Sequence, residues 1–139
     1  MKVTFCGHSD KCYNEEIPVK LYHILKMQIQ LGATTFLLGG YGWFDGVAAT
    51  TVKKLKEEYP YINSLFVTPY INKHYNMDLY DESIYPPLES VPLRFAISAR
   101  NRWMVDSADV IISCVKHSWG GAAKTLEYAK RKNKTIIEL

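Results

Sequence analysis

The sequence lacks the marks of several protein classes. Its three cysteines, Cys6, Cys12 and Cys114, are an odd number with no metal or redox spacing, which argues against a disulfide framework. No apolar run approaches the roughly 20 residues of a transmembrane helix, and the first residues are typical of a strand rather than a leader. The net charge of +3 is too small to indicate a membrane or nucleic-acid partner. We therefore expect a cytoplasmic protein with reduced thiols.

The strands are predicted by continuous apolar runs. With 139 residues, 47% of them hydrophobic and 22% charged, the chain is expected to form one domain, residues 1–139, around a buried core. The runs lie at residues 3–6, 34–38, 64–68, 110–115 and 135–139. Strands that are apolar throughout, rather than alternating, are typical of a parallel sheet covered on both faces.

Helical segments alternate with these strands. One lies between Asn14 and Gly32, and a second runs from a cap at Asp45 to just before Pro60. Two more are predicted over residues 93–108 and 121–132. This alternation predicts a doubly wound α/β fold of about five parallel strands with helices on both faces. The segment from Tyr70 to Pro92, rich in tyrosine, proline and acidic residues, is expected to be a long loop.

Ligands of such sheets bind outside the carboxyl ends of the strands, so the loops there are the candidate site. Small and polar residues collect in these loops. The candidates are Gly7, His8, Ser9, Gly39, Gly40, Tyr41, Gly42, Trp119, Gly120, Gly121, Ala122, Lys124 and Thr125.

Two glycine turns in this set are candidate anion sites. Gly120 and Gly121 open a helix, whose first N–H groups are unpaired and lie at the positive end of the dipole. Residues 39–42 can cradle a phosphate in the same way, but they form neither a Walker motif nor a dinucleotide fingerprint. A tight turn explains residues 39–42 equally well.

Two charged residues accompany the turns. Arg100 shares the inward face of its helix with Ile97 and Met104, and a buried arginine requires a partner. In a functional site, that partner is Glu127 or a carboxylate or phosphate group of a ligand. The alternative is a purely structural ion pair with Glu127 or Asp106. Glu127, one turn below Gly121, can act as an acid or base or bind a ribose hydroxyl.

The remaining chemistry is limited. No two histidines have a zinc-binding spacing, so we expect no metal and no resident cofactor. Trp119 and Tyr41 lie in the ligand loops and can stack on a base.

Four segments resemble one known group. Residues 5–9, 38–48, 98–104 and 119–127 are similar to motifs of the SLOG superfamily, a Rossmann-like group that includes the Lonely-guy phosphoribohydrolases. The resemblance covers essentially the whole chain and implies a homodimer or higher homo-oligomer. It further implies hydrolysis of the N-glycosidic bond of a nucleoside 5′-monophosphate, with Arg100 and Glu127 as the catalytic residues.

The chain departs from the family signature at the turn that binds phosphate. Trp119 stands where the signature has proline, Ala123 replaces its third glycine, Lys124 replaces its threonine, and Asn101 replaces the lysine after the arginine. We therefore expect binding, for sensing or sequestration, of a nucleotide or ADP-ribose-type ligand. One alternative is an N-glycosidase acting on a nucleoside monophosphate. Another is a protein-interaction module that uses the Tyr70–Pro92 segment.

Overall fold

All six strands of the sheet run parallel. The computed structural model describes residues 1–10 and 14–139, so the expected loop thiol of Cys12 lies outside the described residues. The strands are β1 Lys2–Gly7, β2 Thr35–Leu38, β3 Asn63–Val67, β4 Glu82–Ile84, β5 Val110–Cys114 and β6 Thr135–Glu138. Their order is β4-β3-β2-β1-β5-β6.

The helices cover both faces of this sheet. They are α1 Glu16–Gln30, α2 Gly42–Glu58, α3 Ala96–Ser107 and α4 Gly120–Arg131, and a 3-10 turn, Leu93–Phe95, precedes α3. Alternate side chains of each strand point to opposite faces. Val3 and Phe5 of β1 therefore pack with α1 and α2, whereas Cys6 packs with Val105 of α3 and Leu126 of α4. The predicted doubly wound fold is confirmed, with one strand more than expected.

The additional strand, β4, lies in the segment predicted to be a long loop. It pairs only with β3, at the edge of the sheet, and its three residues are exposed or half-buried. Asp81 ties it to β3, since its carboxylate accepts a hydrogen bond from the Ser64 N–H at 2.8 Å. The Tyr75 and Tyr80 rings pack against Phe66. A short polar edge strand has no apolar run that would reveal it.

The start of α2 also differs from the prediction. The helix begins at Gly42, three residues before Asp45, so Asp45 lies in its first turn and is not its N-cap. Tyr41 is the N-cap residue and makes no capping hydrogen bond through its side chain. The Asp45 carboxylate instead accepts a hydrogen bond from the Tyr41 N–H at 3.1 Å.

The strand order creates one crevice. From β1 the chain passes outward through β2 and β3 to β4, then returns to place β5 on the other side of β1. The loops that follow β1 and β5 therefore diverge at the carboxyl edge, where ligands bind in doubly wound folds. Across residues 1–10 and 14–139, no helix is long and apolar enough to span a membrane.

Candidate ligand site

A cavity of about 300 Å³ lies at this divergence of β1 and β5. The loop after β1, the start of α2, the inner face of α3 and the start of α4 contribute its walls. The lining residues are Phe5, Cys6, Gly7, His8, Ser9, Asp10, Tyr41, Asp45, Ile97, Arg100, Asn101, Met104, His117, Trp119, Gly120, Gly121, Ala122 and Thr125.

The cavity brings together most of the residues predicted from the sequence, but not all. Those that line it are Gly7, His8, Ser9, Tyr41, Arg100, Trp119, Gly120, Gly121, Ala122 and Thr125. Those outside the lining are Gly39, Gly40, Gly42, Lys124 and Glu127. Glu127 lies on the exposed face of α4, so the geometry gives no support to its proposed catalytic role.

The start of α4 is open to the cavity. Its N-cap residue, Trp119, has extended backbone and makes no side-chain capping bond, and the first turn contains no acidic residue. A Cβ atom added at Gly121 would meet nothing within 4 Å. Unpaired N–H groups at the positive end of a helix dipole attract anions. This helix entrance can therefore bind a phosphate or carboxylate.

The backbone groups of the turn before α2 already form hydrogen bonds with other residues of the protein. The Trp43 N–H donates to the Ser9 carbonyl at 3.0 Å, and the Tyr41 N–H donates to Asp45. The Gly39 carbonyl accepts a hydrogen bond from Arg100, and a Cβ at Gly39 would lie 3.1 Å from an Asp45 carboxylate oxygen. The tight-turn interpretation of residues 39–42 accounts for these contacts, whereas a phosphate cradle does not.

Arg100 is buried and paired, as predicted, but its partners are different from those expected. It is 3% exposed, and its Nη1 donates to the carbonyls of Gly39 and Val67, both at 2.8 Å. Its Nε donates to the Asn101 side chain at 2.9 Å. The alternative of a structural ion pair with Glu127 or Asp106 is therefore wrong, whereas a ligand as a further partner of Arg100 stays a prediction. Burial lowers the pKa of Arg100, and the nearby Asp45 opposes that shift.

Asp45 is a site residue that sequence reasoning missed. Its carboxyl group lines the cavity close to Gly39 and Arg100. Burial raises its pKa from 3.8 to about 6, against the opposing effects of the Tyr41 N–H and Arg100. The only signal in the sequence was an acidic residue near a helix start, and such residues usually stabilise the helix dipole.

Cys6 of β1 forms a hydrogen bond with the first turn of α4. Its thiol donates to the Ala122 carbonyl at 3.0 Å. Burial, and then the charge of Asp45, raises the pKa of this thiol to about 12. The Cys6 thiol is thus protonated near neutral pH, and its role is to hydrogen-bond the start of α4 rather than to act as a nucleophile.

Three aromatic rings form a column beside the cavity. The rings of His8 and His117 stack with centroids 3.6 Å apart, and those of His117 and Trp119 stack at 3.8 Å. The His8 Nε2 accepts hydrogen bonds from the backbone N–H groups of Lys116, at 2.8 Å, and His117, at 3.3 Å. Sequence reasoning placed these residues in loops at the correct sheet edge, but nothing in their spacing reveals the column.

No set of three or more histidine, cysteine, aspartate or glutamate side chains is arranged to hold a metal ion within residues 1–10 and 14–139. The cavity combines a helix N-terminus, an aromatic column, a buried arginine and a carboxyl group of raised pKa.

Comparisons with known proteins show a likeness of fold. No protein-family model matches the chain, and no curated protein sequence does. The structure is similar to DNA processing protein A from Helicobacter pylori, a single-stranded DNA-binding protein, with 17% identity and a TM-score of 0.69. That match covers 99% of this chain and 64% of the other.

A second similar structure is the X-ray structure of TM1055, with 16% identity and a TM-score of 0.67, covering 97% of this chain and 71% of that one. This chain thus spans less than two thirds of the DNA processing protein. At these identities the likeness concerns the fold alone, which is Rossmann-like.

Proposed function

We propose that the chain is a SLOG-type domain that binds a nucleotide or ADP-ribose-type ligand, and that it senses or sequesters this ligand without consuming it. The observation that carries the proposal is the open start of α4, which faces a cavity at the point where the strand order reverses. In this arrangement the phosphate binds the N–H groups around Gly120, Gly121 and Ala122. The base then lies toward Trp119.

The size of the cavity favours the smaller ligands of this class. Pockets for small molecules typically enclose about 300–1,000 Å³, and this one is at the lower end, at about 300 Å³. A nucleoside monophosphate therefore fits better than a ligand with two ribose groups. Arg100 lines the cavity and donates hydrogen bonds to two carbonyls, and its guanidinium supplies positive charge at the cavity.

The placement of Glu127 argues against turnover by the mechanism that the family resemblance implies. A general acid or base must reach the atom that it protonates, and Glu127 does not line the cavity. Replacement of the signature threonine by Lys124, which also lies outside the lining, agrees with a site that has changed its role.

A second candidate function is N-glycosidic hydrolysis with Asp45 as the acid. This carboxyl group lines the cavity, and its pKa, raised by burial to about 6, is suited to proton transfer near neutral pH. In such an enzyme Asp45 would protonate the base as its bond to C1′ of the ribose breaks, and a water molecule would add to C1′ and return a proton to the Asp45 carboxylate. Glu127 would have no part in the reaction.

One experiment separates binder from enzyme. The protein is titrated calorimetrically with nucleoside mono-, di- and triphosphates, ADP-ribose and a short single-stranded oligonucleotide, and each mixture is then analysed by chromatography. We expect a mononucleotide to bind and to be recovered intact. Free base released over many turnovers, abolished in Asp45→Asn and retained in Glu127→Gln, would establish the second candidate. Binding of the oligonucleotide alone would contradict both.

We also propose that the chain forms a homodimer, as the family resemblance implies. Leu93 and Phe95, in the 3-10 turn before α3, and Ile97, in the first turn of α3, are exposed apolar residues, and Ile97 also lines the cavity. We call these three residues the apolar rim. By contrast, Tyr75 and Tyr80 of the Tyr70–Pro92 segment contact Phe66, which leaves the interaction-module alternative with less support.

A further inference from the structure

His8 holds the segment that joins β5 to α4. Its Nε2 lies 2.8 Å from the Lys116 nitrogen and 3.3 Å from the His117 nitrogen, and both backbone N–H groups donate to it. A ring nitrogen that accepts hydrogen bonds carries no proton, so this imidazole is neutral and its proton is on Nδ1. The segment that His8 fixes continues directly into Trp119 and the Gly120–Gly121 helix start.

The aromatic column connects His8 with Trp119, which lines the cavity. His117 stacks on His8 through one face and on Trp119 through the other. Trp119 is nevertheless 68% exposed although His117 covers one face of its indole ring. Among residues 1–10 and 14–139, His117 is the ring that stacks on this indole, and the opposite face is the one available to a ligand. That open face is a platform for one more flat ring, and aromatic stacking of this kind contributes roughly 1–3 kcal/mol for a nucleobase.

We propose that His8 is a positioning residue for the ligand site: its neutral imidazole holds the Lys116–Trp119 segment so that the indole of Trp119 stacks on the base while the start of α4 binds the phosphate. This inference rests on the proposed function and deepens it, because it names the planar base as the group that the column recognises. His8 acts through Trp119 and the helix start rather than by transferring a proton to the ligand.

Protonation of His8 would release the segment. A protonated imidazole carries N–H on both nitrogens, so Nε2 would then face the two backbone N–H groups as a donor. Among the described residues, the charged or titratable groups around it are Asp10 on its own loop, Lys116 and His117 on the segment, and Asp45 and Arg100 across the cavity. Burial, and then His117 and Lys116, lower the pKa of His8 below its ordinary 6.5, while Asp10 opposes them.

The sign of the pH effect distinguishes this role from simple charge attraction. If His8 positions the segment, affinity falls as the pH drops through the lowered pKa of His8, because protonation breaks the two hydrogen bonds. If the histidines merely attracted the phosphate, affinity would rise on acidification. A phosphate monoester also titrates, near about pH 6, so the wild type must be compared with a variant that has the same ligand but no titrating His8.

Two substitutions separate the hydrogen bonds from the stack. His8→Gln supplies a non-titrating amide oxygen at the place of Nε2, whereas His8→Phe keeps an aromatic ring and cannot accept a hydrogen bond. We expect His8→Phe to weaken AMP binding about tenfold near pH 7.5, since the two backbone N–H groups that hold the segment lose their acceptor. We expect His8→Gln to recover most of that loss and to lack the acid-induced decrease seen in the wild type. Equal affinity of both variants at every pH would overturn the proposal.

A measurement without nucleotide keeps this test independent of the proposed function. In protein labelled with fluorotryptophan, the fluorine resonance of Trp119 is assigned with Trp119→Phe and followed between about pH 7.5 and pH 5. We expect a shift that follows the titration of His8 and disappears in His8→Gln, with Trp103 as the internal reference. A Trp119 shift that persists unchanged in His8→Gln does not arise from His8 and overturns the proposal. Failure of every nucleotide to bind, with the His8-dependent shift present, would instead overturn only the proposed function.

Discussion

Two helices begin at the same cavity, and their entrances are built alike. Each starts at a glycine with a φ of +90°, Gly42 for α2 and Gly120 for α4. Each follows an extended N-cap residue, Tyr41 or Trp119, that makes no side-chain capping bond. The difference lies in the first turn, where α2 carries Asp45 and α4 carries no acidic residue.

This difference decides which entrance can bind an anion. The Asp45 carboxylate occupies the position of an anion at α2, where it accepts a backbone hydrogen bond and compensates the helix dipole. At α4 no side chain of residues 1–10 or 14–139 caps the helix and its first turn has no acidic residue, and the positive end of the dipole faces the cavity. A glycine turn before a helix therefore predicts the path of the chain, whereas the groups that occupy its N–H donors decide whether it binds a ligand.

The largest expected effect concerns the turn before α2, where close packing requires glycine at position 40. Gly40 has a φ of +67°, and an added Cβ would lie 2.2 Å from the Phe66 ring. Gly40→Ala should lower the free energy of unfolding by about 3 kcal/mol, from the strained φ and the overpacking together. The matched control is Gly46→Ala in α2, where a Cβ meets nothing within 4 Å and alanine should stabilise by roughly 0.5–1 kcal/mol. Urea denaturation measures both, and equal effects would contradict the packing role of Gly40.

The second prediction tests the open entrance. Gly121→Asp places a carboxylate in the first turn of α4, where α2 has Asp45. Repulsion of the ligand phosphate and loss of the favourable dipole should weaken nucleotide binding on the order of a hundredfold. Gly121→Ala is the matched control, because the site has space for a Cβ. If calorimetry finds the same affinity for both variants, the phosphate does not bind at α4.

The third prediction concerns the free-energy cost of placing the half-buried Asp45 carboxylate at the start of α2. The pKa of Asp45 is raised in the fold from 3.8 to about 6, so the native state holds this proton more tightly than the unfolded state. The contribution of Asp45 to stability is therefore lost as the pH rises from about 4 to 7. Asp45→Asn, which resembles the neutral acid, should gain about 2 kcal/mol relative to the wild type between about pH 4 and pH 7.5.

Asp81 provides a control of opposite sign for that measurement. Despite partial burial, hydrogen bonds from Lys56 and the Ser64 N–H hold the pKa of Asp81 below its usual value. Its stabilisation is present above about pH 4 and lost on acidification, so Asp81→Asn should be destabilising near neutral pH and close to neutral in acid. Unfolding curves for the two variants that shift in the same direction with pH would be inconsistent with these assignments.

The two entrances also show which features of the molecule the sequence reveals. The central strands β1 and β5 were predictable because both of their faces are buried and their runs are apolar. The open start of α4 was predictable from Gly120 and Gly121. The partners of Arg100 were not, because they are the Gly39 and Val67 carbonyls, and a backbone carbonyl at a strand end has no signature in the sequence.

Asp45 was missed for a related reason. An acidic residue near a helix start predicts dipole compensation wherever that helix lies. Its burial, and with it the raised pKa, depends on where α3 places Arg100 and on how Ser9, after β1, packs against Gly42 and Trp43 at the start of α2. Those contacts join residues that are far apart in the chain, and no local pattern encodes them.

The smallest expected effect concerns the apolar rim, Leu93, Phe95 and Ile97, which adjoins the open entrance through Ile97 and the cavity. If this rim is the contact between two copies, Phe95→Ser should weaken dimerisation about tenfold, within the range of a single interface side chain. Leu31→Ser is the matched control, since Leu31 is 68% exposed at the opposite edge of the sheet, after the end of α1. Sedimentation velocity over a range of protein concentrations measures both. A wild-type monomer at micromolar concentration would contradict the homodimer, and equal weakening by the two variants would move its interface away from the rim.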